Sequence, residues 1–121
     1  MQDQKTNVKL LVLMERIICA ANSYNDGKEH VHVPKNIKEG FVVCGRRHHN
    51  CIHIFAMIVG FPYTERGHEI HRTEVQGFLT DTNRFVGRKE AFQIARKAGQ
   101  IIGPNKNDED NYIGLTSEDL Y

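Results

Sequence analysis

The sequence predicts a single small α+β domain in which an antiparallel sheet is covered by two main helices. Several short segments rich in β-branched and aromatic residues are separated by turn residues, a pattern that favours strands. Two further segments carry apolar side chains at helical spacing. The length of 121 residues suits one domain, which we expect to span residues 14–121 after an N-terminal extension, residues 1–13.

The first part of the chain contains three predicted strands. Residues 16–24 are apolar on both faces, which favours a central, covered strand. The Asp26–Gly27 dipeptide predicts a hairpin whose return strand is residues 29–34. Residues 41–44 form a third, short strand.

The remaining elements are two helices and a second hairpin. Apolar residues recur every three or four positions over residues 49–59, which predicts a largely buried helix. Residues 61–74 are expected to be a polar loop. A hairpin follows, with strands at residues 75–80 and 84–86. Residues 88–99 have the clearest helical pattern, with basic residues in the last turn and a glycine after it.

Composition excludes several classes of protein. The chain is 40% hydrophobic and 26% charged, the balance of a folded domain. No apolar run approaches the ~18 residues of a membrane helix. The apolar patch Leu10–Met14 is shorter than a signal-peptide core of about 7–15 residues. Three cysteines in apolar contexts are typical of buried thiols in a reducing compartment, so we expect a cytosolic protein.

The charge is unevenly distributed. Residues 108–121 carry five acids and no Lys or Arg, whereas the formal net charge of the whole chain is +1. A moderately basic body with an acidic tail suits a small anionic ligand, and the excess is too small to predict duplex nucleic-acid binding. Ordinary surface charge is the alternative interpretation.

The most informative local feature is a basic cluster where a strand leads into a helix. After Gly45, the residues Arg46, Arg47, His48 and His49 fall at a predicted helix N-terminus, where the helix dipole attracts anions and arginine forks bind phosphate. Basic residues oppose the stability of that end of a helix, and a local rule broken in this way indicates function. Solvated arginines beside structural histidines are the alternative.

The second predicted hairpin carries a further set of candidates. Phe78 or Phe85 can stack on a nucleobase while Asn83 and Arg84 supply polar contacts. The two phenylalanines as core residues are the alternative.

Metal binding and nucleophilic catalysis are weaker hypotheses. His49 and His53 share a helical face, but the cysteine and histidine spacing matches no zinc pattern. Cys51 lies near His48 and is a candidate nucleophile, yet its place on the apolar stripe favours an inert, packed thiol. We therefore expect no metal, no cofactor and no catalytic residue.

Four motifs follow one another along the chain: RIICAANSY, GRRHHNCI, QGFLTDTNRFVGRKEAFQIARKAGQI and LTSEDLY. Across residues 16–121 they resemble the phage Thoeris anti-defence family of the sponge type. The resemblance implies a protein that is not an enzyme. It implies capture of a glycocyclic ADP-ribose signal, made by a TIR-domain protein, in the host bacterial cytoplasm. It also implies homo-oligomers of up to six chains with nucleotide pockets between protomers, some of which also bind cyclic trinucleotides.

Two other functions remain open from the residues. One is a small enzyme that processes nucleotides with His48 or His49 as acid and base. The other is an interaction module that docks on a host protein through the acidic tail.

Overall fold

The computed structural model describes residues 14–104 and 113–121, so the N-terminal extension and most of the predicted loop at 104–111 lie outside the described residues. The described chain contains a four-stranded antiparallel sheet in the order β2-β1-β3-β4. Its strands are β1 (Ile17–Tyr24), β2 (Phe41–Gly45), β3 (Val75–Thr80) and β4 (Phe85–Gly87). The predicted α+β class is confirmed.

Strand β1 lies inside the sheet, as its apolar composition predicts. Ala20 pairs with Gly45 of β2 on one side and with Phe78 of β3 on the other. Ala20 and Ala21 point to opposite faces of the sheet and are both fully buried. Small side chains at these positions let other elements approach the backbone of β1 from both faces.

The described part of the chain has three helices, of which the first and third pack on the sheet and the second packs on the first. They are α1 (His48–Val59), α2 (Glu65–His71) and α3 (Arg88–Lys97), and a short 3-10 turn covers Ser117–Asp119. Helices α1 and α3 are the two main helices that the sequence predicts, but the prediction of a largely buried α1 is wrong, because only Cys51 and Phe55 of this helix are buried. No helix among residues 14–104 and 113–121 is long and apolar enough to cross a membrane.

Helix α2 corrects the prediction of a polar loop over residues 61–74. Thr64 caps the helix, because its Oγ1 accepts a hydrogen bond of 2.9 Å from the backbone N–H of Gly67. Of its seven residues only Gly67 and Ile70 are buried. An element with one large buried side chain shows no apolar stripe, so hydrophobic periodicity does not reveal it.

The predicted return strand at residues 29–34 is also wrong, because this segment is a loop. Strand β2 occupies one edge of β1 and β3 occupies the other, so no edge of β1 is left for it. The loop instead reaches β4, where the Asn36 amide bonds both the N–H and the carbonyl of Phe85, at 2.8 and 2.7 Å. This pairing covers part of the free edge of β4.

The core lies between the sheet and the helices, and the C-terminal residues contribute to it. Phe55, Phe78, Phe92 and Leu115 are its largest fully buried apolar side chains. The backbone of Leu115 donates to the carbonyl of Arg88 at 2.8 Å. The segment 113–121 therefore packs beside the first turn of α3, and it approaches the first turn of α1 as well.

Candidate functional site

A cavity of about 350 Å³ opens where α1 begins, and we call it the basic cavity. Its lining comes from three separate parts of the chain: the first residues of α1, the first residue of α3 and the C-terminal segment. The lining residues are Arg47, His48, His49, Arg88, Ile113, Thr116, Ser117 and Glu118. Three of the four residues in the predicted basic cluster are thus brought together around one space.

Arg47 is the residue that precedes α1 and connects it to the C-terminal segment. Its guanidinium donates to Ser117 Oγ at 3.1 Å and to the Tyr121 carbonyl at 2.7 Å, and it lies 3.9 Å from the Glu118 carboxylate. Its backbone N–H donates to Asn50 Oδ1 at 3.0 Å, which caps the helix from inside its first turn. Arg47 is therefore held in place at the wall of the cavity.

Arg46 lies outside this cavity and is exposed. Its guanidinium lies over the ring of Tyr121, 5.4 Å from the centroid, and the Arg47 guanidinium lies 5.0 Å from the same centroid. The Tyr121 hydroxyl in turn donates to the Arg46 carbonyl at 2.5 Å. These cation–π contacts hold Tyr121 against the residues that precede α1.

His48 is held by both ring nitrogens. Its Nε2–H donates to the Gly77 carbonyl at 2.8 Å, and its Nδ1 lies 3.4 Å from an Arg88 nitrogen. Burial lowers the pKa of His48, and the neighbouring Arg88 charge lowers it further. The imidazole is therefore neutral near pH 7, and its main role in this geometry is to position Arg88. His49, by contrast, is exposed at the cavity.

Arg88 is the site residue that the sequence reasoning missed. Its guanidinium donates to the Leu115 carbonyl at 2.9 Å and to Gln76 Oε1 at 2.7 Å. Burial lowers its pKa, although it stays protonated because an arginine starts so high. The sequence does contain a signal for Arg88, which is a basic residue in the first turn of α3, at the positive end of the helix dipole. The same unfavourable placement of charge identified the basic cluster at the start of α1.

The cation at Arg88 is connected to the core by a chain of hydrogen bonds. Gln76 Nε2 donates to Glu74 Oε2 at 3.3 Å, and the Tyr24 hydroxyl donates to Glu74 Oε1 at 2.6 Å. Asn22 donates to that hydroxyl at 3.2 Å. The chain therefore runs from Arg88 at the cavity through Gln76, Glu74 and the Tyr24 hydroxyl to the buried Asn22.

The candidates on the β3–β4 hairpin lie elsewhere. Phe78 is fully buried in the core, where its ring meets the His48 ring edge-on at 5.1 Å. Arg84 pairs with Glu15 and Glu90. Asn83 lines a different cavity of about 410 Å³. The structure therefore does not bring the predicted base-binding residues to the predicted phosphate-binding residues within one chain.

Phe85 is half-buried and lies against the opposite strand. Its ring is so close to Gly77 that a Cβ on that glycine would come within 2.8 Å of it. In this position the Phe85 ring packs on the backbone of Gly77, a contact that is part of the fold.

The cysteines do not share one environment, which corrects the expectation of three buried thiols. Cys51 is fully buried, and burial raises its pKa to about 11, as suits a packed and unreactive thiol. Cys19 is partly buried and Cys44 is exposed. Within residues 14–104 and 113–121, no three His, Cys, Asp or Glu side chains cluster as a metal site.

Comparison with known proteins identifies the family. A family model described as the phage T4 y16D protein matches residues 16–121, which is nearly the whole chain. No curated protein matches the chain. No solved structure matches it either. Because the family model covers far more than half of the sequence, the chain belongs to the phage T4 y16D protein family.

Proposed function

We propose that this phage protein binds and sequesters a phosphate-bearing nucleotide signal without cleaving it, and that the basic cavity is the phosphate-binding part of the site. The ligand class we propose is a glycocyclic ADP-ribose, made by a TIR-domain protein of the host. Holding this signal would block Thoeris immunity in the host cytoplasm. The observation that carries the proposal is the pair of guanidinium groups, Arg47 and Arg88, on one cavity at the start of α1.

The charges of the cavity favour a phosphate over a neutral ligand. Two arginines and the positive end of the α1 dipole face one space, and among the described residues that line it a single carboxylate, Glu118, opposes them. Arginine forks bind phosphate oxygens through paired hydrogen bonds. The volume lies near the lower end of the range of about 300–1,000 Å³ for small-molecule sites, so a single chain provides room for part of a dinucleotide.

The rigidity of the site favours capture over catalysis. Arg47, His48 and Arg88 each make at least two hydrogen bonds to protein groups before any ligand arrives. Groups held in this way lose little freedom on binding, which strengthens affinity. A general acid or base needs a free titrating nitrogen. His48 uses both of its ring nitrogens inside the protein, which leaves the exposed His49 as the histidine for which the enzyme alternative has to be tested.

We further propose that the protein acts as a homo-oligomer, in which a second chain completes the site. Ile54, Met57 and Ile58 form an exposed apolar stripe on α1, and Met57 is 73% exposed. A stripe of this kind on a helix is typical of a protein contact surface. Sedimentation of the full chain measures its mass, and a monomer at all concentrations would contradict this part of the proposal.

Calorimetry with glycocyclic ADP-ribose tests the proposed function. A signal trap needs a Kd of about 1 nM, which corresponds to about −12 kcal/mol. We expect Arg88→Gln and His49→Gln to weaken binding by about tenfold or more, that is by ~1.4 kcal/mol or more. Lys89→Gln is the matched control, because it removes the same charge from an exposed neighbour of Arg88.

Two further readouts separate the alternatives. Heat denaturation of the loaded protein should release the ligand intact, whereas a new species on chromatography would favour a nucleotide-processing enzyme. Thermal unfolding of each variant reports whether it is folded. If Arg88→Gln fails to fold, the exposed His49 still provides the test. No binding of any ADP-ribose-type ligand would refute the proposal.

A further inference from the structure

Cys19 and Cys44 lie on neighbouring strands of the sheet. Cys44 pairs with Ala21 across the β1–β2 ladder, and Cys19 is two residues before Ala21. Residues two apart on a strand share a face, so the two cysteines are diagonal neighbours on the same face. This face is the one away from Phe78, since Cys19 pairs with Leu79, the next residue on β3.

The two thiols interact directly. The Cys44 thiol donates a hydrogen bond to the Cys19 sulfur, and the backbone N–H of Gly45 donates to the same sulfur. These two bonds lower the pKa of Cys19 from 9.0 to about 7, despite its partial burial. The hydrogen bond to Cys19 raises the pKa of Cys44, and burial and the Cys19 charge raise it further, as expected for a thiol that keeps its proton to donate it. Folding therefore favours the thiolate form of Cys19 and the thiol form of Cys44.

The pair is accessible to small solutes. Cys44 is exposed and lines the open cavity of about 410 Å³ that also contains His32 and Asn83. Cys51 provides a contrast within the same chain, because it is fully buried on the side of α1 that faces the sheet, and its sulfur contacts the carbonyl of Ala20 at 3.7 Å. Cys19 and Cys44 therefore differ from Cys51 in access, and Cys19 differs from both of the others in having a lowered pKa.

We propose that Cys19 and Cys44 form a peroxide-sensitive thiol pair that closes into a cross-strand disulfide. A low-pKa thiolate next to a second thiol is the arrangement of redox-responsive cysteines. The strand register, the exposure of Cys44 and the contact between the two thiols favour this reaction whether or not the protein binds a nucleotide.

The chemistry balances with a hydroperoxide as the oxidant. The Cys19 thiolate attacks one peroxide oxygen and the O–O bond breaks, which yields a sulfenic acid on Cys19 and a hydroxide or alkoxide that takes a proton from water. The Cys44 sulfur then attacks the Cys19 sulfur, the S–O bond breaks, and the thiol proton leaves with the hydroxyl as water. The two thiols together lose two electrons, and the peroxide gains them.

Treatment of the full-length protein with stoichiometric hydrogen peroxide tests the proposal. We expect the mass of the denatured protein to fall by two hydrogen atoms, and peptide mapping to place the new bond between Cys19 and Cys44. Cys51 is the internal control, and it should still be alkylated quantitatively after denaturation. A reducing agent should restore all three thiols.

Single substitutions assign the roles of the two cysteines. In Cys44→Ser, the sulfenic acid on Cys19 has no partner, so a dimedone-type probe should label it. In Cys19→Ser, we expect Cys44 to react with peroxide at least tenfold more slowly, because it has lost its activated neighbour. If either variant fails to fold, alkylation of the native wild-type chain at pH 7 decides, with Cys19 expected to react before Cys51. Sulfinic acid on Cys19 beside a free Cys44 in the oxidised wild type would overturn the proposal.

Discussion

At the scale of single residues, several side chains predicted to contact a ligand instead bind other groups of the protein. Arg84 was predicted to contact a phosphate or a base, and arginine suits either role. In the structure its guanidinium instead donates two hydrogen bonds to the Glu15 carboxylate, at 2.9 and 2.6 Å. Thr80 donates to the same carboxylate at 2.6 Å, and so does Thr82. The bidentate pair ties Glu15, two residues before β1, to the β3–β4 hairpin. Glu15 and Arg84 are far apart in sequence, so no local pattern indicates that they meet.

Stability should depend on pH through Glu15. Its hydrogen bonds to Arg84 lower the pKa of Glu15 from 4.5 to about 2. A carboxyl group whose pKa is lowered by folding stabilises the fold fully above its unfolded value, and this contribution is lost as the pH falls from 4.5 through 2. We expect Glu15→Gln to reduce the free energy of unfolding by about 2 kcal/mol at neutral pH. Denaturant titrations at several pH values measure the difference, which should shrink toward zero in strong acid. Glu29→Gln, in an exposed loop, is the control, and an equal loss there would contradict this account.

At the scale of elements, the sequence predicts those helices and strands that can be identified from the arrangement of their apolar residues. Helices α1 and α3 carry apolar side chains at helical spacing, and strands β1, β2 and β3 are short segments rich in apolar residues between turn residues. Their predicted bounds agree with the structure to within a few residues. The segment 29–34 alternates like a strand, but pairing requires a free edge, and the edges of β1 are both taken. Helix α2 depends on a Thr64 cap and a single buried side chain. Neither the competition between strands for an edge of β1 nor the capping of a short helix produces a periodic pattern of apolar residues, so the sequence does not reveal them.

Two glycines that face each other in the β3–β4 ladder provide a matched test of the hairpin. Gly77 pairs with Gly87. A Cβ on Gly77 would lie 2.2 Å from the Val86 carbonyl oxygen, whereas a Cβ on Gly87 would meet nothing within 4 Å. We expect Gly77→Ala to reduce the free energy of unfolding by about 1–3 kcal/mol through overpacking. Gly87→Ala should change it by less than about 0.5 kcal/mol. Chemical denaturation of both variants checks the order, and equal effects would show that close approach is not the reason for the glycine at position 77.

At the scale of the whole molecule, the basic cavity is built by folding the end of the chain back onto its middle. The basic cluster at residues 46–49 is local, so the sequence predicts it. Arg88 and the segment 113–121 come from other parts of the chain, and only the tertiary fold brings them to the same cavity. The hypothesis of a docking tail also changes at this scale. Asp119 is buried and its carboxylate accepts a hydrogen bond from the Thr116 backbone at 2.9 Å, so this part of the acidic tail is structural.

Leu115 shows how far the fold depends on this returning segment. It is fully buried in the core, and its backbone bonds both the carbonyl and the side chain of Arg88. Leu115→Ala should remove about 2–5 kcal/mol of stability, because it leaves a cavity in the core. It should also weaken any ligand held by Arg88, since the segment that fixes this guanidinium is loosened. Denaturant unfolding measures the first effect and calorimetry the second. Val31→Ala, at a side chain that is 90% exposed, is the control for both. An unchanged unfolding midpoint for Leu115→Ala would mean that residues 113–121 contribute no core packing, and that the cavity wall they form is not part of the stable fold.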